Sequence, residues 1–388
     1  MKLIDYFSNF FLYITNVIFL IFSKQSKNPL ICGVIDLNIP DLNISGRVFY
    51  PSLQKDFYST GVPWFSEDLS RIIRGKLNLI LNPESRSFFI SAVFYLSKLI
   101  PSVLLPTLPN TLLNSPCLQK QPLPVILWSH GRAGNVHDHA LMLSQLAVEV
   151  PAICLCVTHT DGSADVWRDS NKKSRYFRNS SGSESIDERL LKESLKMAEY
   201  LIHYRCSELI HALTHLKEKE NTRFNISNKV ILGGYDLGGS TSLALASKLK
   251  AAGTISLDGV FSINDKFKFP RSLFDDSIIT TPTAFLLSDE WELWNRAMTD
   301  NTKLLIAKTN SHKLITVKQT KHNNFTECMF WVPRPLVFVL RLAGYIHRRG
   351  SPRKTYRRTV KWLVATIQQY LDTEPSETSI PEFSQNSY

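Results

Sequence analysis

The chain has 388 residues, 44% of them hydrophobic and 20% charged, with a formal net charge of +11. It is too long for one small module and too apolar for a disordered tail, and its 16 Gly and 19 Pro are scattered without period, which excludes collagen-like and low-complexity classes. A basic balance favours an anionic partner, nucleic acid or a lipid surface, without choosing between them.

In chain order, Tyr6–Phe22 is mostly apolar, with Lys2 before it and Lys24 and Lys27 after it. Its length is marginal for a bilayer crossing, which takes ~20 residues, and Asn9, Thr15 and Asn16 interrupt it. The basic start and apolar core resemble a signal peptide, but no small-x-small cleavage site follows. Residues 1–27 therefore read as a retained signal-anchor or an interfacial helix. That places the protein at a membrane or in the secretory pathway, with the cytoplasmic face also open.

Residues 28–374 read as one α/β domain, and the end of the chain, 375–388, as a disordered tail. Within the domain, 77–113 is unusually apolar, with Phe88, Phe89, Ile90, Val93, Phe94, Leu96, Leu99 and Ile100 close together. It is a core-covering insertion, or a lid or lipid-contacting surface. From Pro122 strands and helices alternate. Val125–Trp128, Ile153–Val157, Lys229–Leu232, Thr254–Leu257, Thr283–Leu287 and Leu314–Val317 are apolar runs of strand length. Asp138–Val148, Ile186–Glu220 and Gly238–Lys250 carry helical spacing, and Asp161–Ser185 is polar and loop-like. This alternation predicts a mostly parallel sheet with helices on both faces. Arg341–Lys361 holds eight Lys/Arg and no acidic residue, either a solvated basic face or a contact for anionic headgroups.

The cysteines, Cys32, Cys117, Cys154, Cys156, Cys206 and Cys328, form no disulfide framework. Cys154 and Cys156 sit two apart in a strand and so face the same side. There is no C-x-x-C, and no cofactor or metal site is expected. The sequons at Asn43, Asn179, Asn225 and Asn324 carry little weight.

The most informative stretch is Gly233-Gly234-Tyr235-Asp236-Leu237-Gly238-Gly239, a strand entering a tight turn before a helix. It has the form of the nucleophile elbow G-x-S-x-G with aspartate at the centre. The N–H after the central residue, here Leu237, would donate to an oxyanion. A second donor comes from the turn after an earlier strand, Ser129-His130-Gly131-Arg132, through the Arg132 N–H. Asp258 ends the next strand and His322 follows the last one. The chain order nucleophile, acid, histidine is that of α/β-hydrolases.

With Arg47-Val48-Phe49-Tyr50-Pro51-Ser52, Val125–Gly131, His159–Ala164, the elbow, Ser256-Leu257-Asp258, Leu287–Trp291 and His322-Asn323-Asn324-Phe325 in order, the chain resembles the platelet-activating factor acetylhydrolases of the plasma and type II intracellular kind. The resemblance runs from about Cys32 onwards. It implies an α/β-hydrolase fold and a calcium-independent phospholipase A2-type esterase acting on the sn-2 acetyl or short acyl ester of phospholipids. Asp236, Asp258 and His322 take the catalytic positions, with the Arg132 and Leu237 N–H groups as oxyanion donors. It further implies lipid-surface contact, here through the N-terminal segment, Phe88–Ile100 and Arg341–Lys361. Nucleic-acid binding has no motif to support it.

Asp236 stands where the resemblance calls for serine. A carboxylate attacking an ester carbonyl forms an intermediate from which carboxylate is the better leaving group, so the intermediate reverts. A carboxylate at the elbow would also accept from the oxyanion donors, and an ion pair with His322 would block base catalysis. A non-catalytic lipid binder is therefore an alternative. A third reading takes Asp236 as nucleophile towards an alkyl carbon, as in α/β-hydrolases that act on epoxides and haloalkanes. Those enzymes carry tryptophan after the aspartate, where this chain has Leu237. Ser240, one turn on, lacks the flanking glycines.

Overall fold

The computed structural model describes residues 30–53, 61–80, 107–108, 111–118, 121–168, 171, 173–176, 188–261, 273–274, 280–294, 300, 302–303, 313–327, 330 and 352–372. The N-terminal apolar segment, Phe88–Ile100, the first part of the basic run and the tail lie outside the described residues. Among those described, no helix is long and apolar enough to cross a membrane.

A hairpin opens the domain, β1 (Ile31–Ile39) and β2 (Ile44–Ser52), followed by β3 (Val62–Pro63), helix α1 (Leu69–Ile80), β4 (Thr107–Leu108) and β5 (Thr111–Leu113). The alternating part then runs β6 (Leu123–Ser129), α2 (Ala140–Glu149), β7 (Ile153–Thr158), the short pair β8 (Val166–Arg168) and β9 (Ser174–Tyr176), and α3 (Glu188–Lys219). It continues with β10 (Ile226–Tyr235), α4 (Leu237–Leu249), β11 (Gly253–Leu257), β12 (Thr283–Ser288), α5 (Asp289–Trp294), β13 (Lys313–Val317) and α6 (Pro352–Asp372).

Nine of these strands make one sheet in the order β13-β12-β11-β10-β6-β7-β2-β1-β5. The six from β13 to β7 are mutually parallel, and β2 is antiparallel to both β7 and β1. Each central strand is apolar on both faces because both faces are covered. Ile126, Trp128, Cys154 and Cys156 point into the layer formed with α2 and α6. Val125, Leu127, Ile153, Leu155 and Val157 point into the layer of α3 and α4. Cys154 and Cys156 thus share a face, and the five described cysteines are free thiols.

The hairpin β1–β2 was not expected from the sequence, and the loop reading of Asp161–Ser185 needs correction. Three-residue strands β8 and β9 pair within it, Val166 opposite Tyr176. So short a polar pair has no period of its own to reveal it and forms where α1 packs beside it. β10 also extends beyond Lys229–Leu232 at both ends, since Gly233 and Gly234 continue the ladder with β6 and β11.

Candidate active site

Parallel strands bring their carboxyl ends to one edge of the sheet, and there the loops after β6, β10, β11, β12 and β13 converge. Asp236 follows β10 directly, with φ 53° and ψ −122°. A non-glycine residue in that conformation stores ~1–3 kcal/mol of strain, the expected signature of an elbow. The turn is tight enough that a Cβ on Gly238 would run into the Ser129 carbonyl. On the facing loop, a Cβ on Gly131 would lie 2.8 Å from the Tyr235 ring and 3.0 Å from the Asp236 Cβ. Both glycines let the elbow and the loop after β6 touch.

That contact puts the Arg132 N–H against the Asp236 carboxylate, 2.7 Å from Oδ2. The Arg132 guanidinium reaches the same oxygen, Nε to Oδ2 at 3.3 Å. Burial pushes the Asp236 pKa up, but the Arg132 charge, His322 and the N–H groups of Arg132 and Leu237 together outweigh it and hold the carboxyl below its usual value. Both N–H groups named from the sequence as oxyanion donors therefore act on the carboxylate itself. The other oxygen, Oδ1, is buried and accepts from no described donor.

Asp258 and His322 are brought together as the sequence predicts. His322 Nδ1 lies 3.0 Å from Asp258 Oδ2, and the Ser288 N–H donates to Asp258 Oδ1 at 2.6 Å. Burial raises the Asp258 pKa, opposed by His322 and Ser288. With Asp258 at Nδ1, Nε2 is the nitrogen left for proton transfer. It faces Asp236 Oδ1 at 3.9 Å, beyond hydrogen-bond range. The Asp236–His322 pairing expected from the sequence is thus present at ion-pair distance but without a hydrogen bond. The Arg132 guanidinium is the nearer cation on the carboxylate.

Four contributions escaped the sequence reading. The Arg132 side chain pairs with Asp236, where only its backbone had been considered. Trp291 stacks on the His322 imidazole with centroids 4.4 Å apart and planes at 6°, and Tyr235 stacks on it at 4.6 Å. Glu290 accepts the His322 N–H at 2.8 Å. Glu290 and Trp291 lie in a stretch that carries the family resemblance, but nothing in their type indicates that role. Ser240 is removed as a substitute nucleophile, since it is fully buried and its hydroxyl donates to the Val260 carbonyl.

The loop that carries Arg132 is held from beneath. The fully buried Arg205 donates to the His130 carbonyl at 2.6 Å and pairs with Asp161 at 2.9 Å. Lys76 donates to the Ala133 carbonyl at 2.8 Å and to both oxygens of Asp138. His130 accepts the His159 N–H on Nε2 at 3.0 Å, so its Nδ1 carries hydrogen and donates to the Gly131 carbonyl at 2.7 Å. That carbonyl and the Arg132 N–H share one peptide plane, and the bond fixes the plane's direction. Beside it, Ser129 Oγ lies 2.8 Å from His159 Nε2, and His159 Nδ1 lies 2.6 Å from Glu208 Oε2. Among the described residues no cluster of side chains could hold a metal ion.

The fold superposes on that of a solved esterase. A ferulic acid esterase from Streptomyces cinnamoneus superposes with a TM-score of 0.56 at 14% identity, over 91% of this chain and 93% of that one. An esterase from Pyrobaculum calidifontis matches at 11% identity with a TM-score of 0.39, over 96% and 92% of the two chains. An S-formylglutathione hydrolase from Staphylococcus aureus matches at 12% identity with a TM-score of 0.38, over 86% and 96%. Among curated proteins none matches. The model of the family described as platelet-activating factor acetylhydrolase, isoform II, matches residues 25–379. With an α/β-hydrolase sheet, an elbow and an acid–histidine pair in place, the chain belongs to the platelet-activating factor acetylhydrolase isoform II family of ester hydrolases.

Proposed function

We propose that the site takes phospholipids of the platelet-activating-factor type, with a short sn-2 ester, and that Asp236 makes it a binder with strongly reduced acyl turnover. One observation carries this reading: the Arg132 N–H lies 2.7 Å from Asp236 Oδ2. A donor that should meet the oxyanion of an ester's transition state is already spent on a side-chain carboxylate. Family membership supports the ligand class, and Asp258 with His322 supports a scaffold still arranged for ester chemistry. The reading extends to a lipid surface. Lys354, Arg358 and Lys361 are exposed on α6, which has no acidic residue before Asp372. Such a face suits anionic headgroups.

The test is hydrolysis of 1-alkyl-2-acetylglycerophosphocholine by wild type and by the Asp236→Ser protein, with vesicle flotation of both. Asp236→Ser should raise turnover by at least about 10³-fold, since it supplies a hydroxyl and frees the donors. Wild-type turnover equal to that of Asp236→Ser contradicts the reading, as does failure of wild type to float with vesicles.

A second reading, carboxylate-nucleophile hydrolysis at an alkyl carbon, is favoured by the bare, buried Oδ1 facing His322.

A further inference from the structure

The two oxygens of Asp236 have different surroundings. Oδ2 holds the Arg132 N–H at 2.7 Å and the Arg132 Nε at 3.3 Å. Oδ1 is buried, meets no described donor, and stands 3.9 Å from His322 Nε2. A buried carboxylate oxygen without a hydrogen bond is costly to the fold. No described donor hydrogen-bonds its lone pairs, which is the state a nucleophile needs.

We propose that Asp236 Oδ1 displaces halide from primary alkyl halides and that the site hydrolyses the alkyl ester so formed; this rests on the second reading above and gives it a substrate class. In the first step Oδ1 bonds to the sp³ carbon as the carbon–halogen bond breaks, and halide leaves with the bonding pair. In the second, His322 Nε2 takes a proton from water, and the hydroxide attacks the Asp236 carboxyl carbon. The negative charge then develops on Oδ2. That oxygen is already 2.7 Å from the Arg132 N–H, so the donor that is misplaced for a substrate's carbonyl is in place for this one. The intermediate expels alkoxide, which takes the proton from His322 and leaves as alcohol. Asp236 is left as a carboxylic acid and loses a proton to solvent. The sum is alkyl halide and water giving alcohol, halide and a proton.

The geometry separates this from the ester chemistry of the family. Attack of Oδ1 on an acyl carbon reverts, because carboxylate leaves more readily than alkoxide. Attack on an alkyl carbon yields an ester that only water can open. Halide is favoured over epoxide by charge. Halide departs as an anion, and the Arg132 guanidinium beside the carboxylate, with its side chain 55% exposed, offers a counter-charge. Opening an epoxide leaves an alkoxide that must be protonated, a step that halide departure does not need.

The experiment uses the full-length protein and 1-bromobutane, with 1,2-epoxybutane in a parallel arm. The His322→Gln protein should accumulate a butyl ester on the Asp236 peptide, read by mass spectrometry. Wild type in ¹⁸O-water should release bromide and butanol and carry one heavy oxygen in Asp236. Bromide release should exceed that of a folded Asp236→Asn control by at least about tenfold. Adduct and label from the epoxide alone would overturn the halide assignment while leaving the carboxylate nucleophile standing. No adduct and no label from either probe would overturn both. Neither probe has a headgroup, so the phospholipid reading stands or falls separately, on flotation and on the Asp236→Ser protein.

Discussion

Two acid–histidine pairs lie among the described residues, and the better-bonded one is the one sealed from solvent. Glu208, His159 and Ser129 are linked at 2.6 and 2.8 Å, a serine–histidine–carboxyl chain in form. Ser129 and His159 are fully buried, and the chain lies beneath the oxyanion loop. Asp258 and His322 are 3.0 Å apart, with the His322 side chain 21% exposed beside the elbow. Burial pushes the Glu208 carboxyl up to about 8 and holds His159 well below its ordinary value. Glu208 Oε1 accepts from both the N–H and the hydroxyl of Thr160, and Oε2 faces His159 Nδ1. Hydrogen-bonded order alone does not make a triad; access does.

The sharpest way to break the buried region is at Arg205. Its loss leaves the Asp161 carboxylate unpaired in the interior, and both side chains are fully buried. Arg205→Met should cost about 3–5 kcal/mol in urea unfolding, while Met197→Leu, at an exposed position on the same helix, should be close to neutral. A loss below 1 kcal/mol, on the order of a surface pair, would mean the loop is held elsewhere.

Glu208→Gln comes next. A carboxyl whose folded pKa lies above its unfolded value stabilises the fold below its ordinary 4.5, and that contribution is lost as pH rises through about 8. His159, held neutral, has the opposite sign: its contribution is present above 6.5 and lost as pH falls through its lowered value. Comparison of wild type with Glu208→Gln isolates the first. The stability difference should move against wild type by up to a few kcal/mol between pH 4.5 and 8. A flat difference across that window contradicts the protonated Glu208.

At the elbow the effects on stability are smaller. Asp236 has a lowered folded pKa, so its contribution is present above its ordinary 3.8 and lost as pH falls through the lowered value. Asp236→Asn should therefore narrow its gap to wild type only in acid. Arg132→Gln keeps the backbone donor but takes the half-exposed guanidinium off the buried Asp236 carboxylate, and it should cost about 1–3 kcal/mol by thermal unfolding.

The parallel half of the sheet was legible in the sequence because strands buried on both faces must be continuous apolar runs. Asp236 and Asp258 were legible because each ends such a run, and His322 because it follows the last strand in the expected chain order. The β1–β2 hairpin was not, since Arg47 and Asp36 interrupt its pattern and their pairing at 2.7 Å exists only once the strands are in register. The two oxygens of Asp236 are invisible to sequence for a similar reason. Their difference depends on which N–H groups the loop after β6 presents, and that depends on Arg205 and Lys76, distant in the chain, and on His130 within the loop, holding its carbonyls. Trp291 on His322 is likewise a meeting of α5 with the turn after β13, with no local pattern to announce it.

The central claim is that a carboxylate occupies an otherwise competent oxyanion site. Stoichiometric labelling with an alkyl fluorophosphonate tests it most directly, because that reaction needs an elbow hydroxyl, His322 and free oxyanion donors together. The Asp236→Ser protein should take up label at the substituted position, and wild type and Asp236→Ala should take up none. Labelling of wild type at another residue, or a folded Asp236→Ser protein that stays unlabelled, would contradict the account.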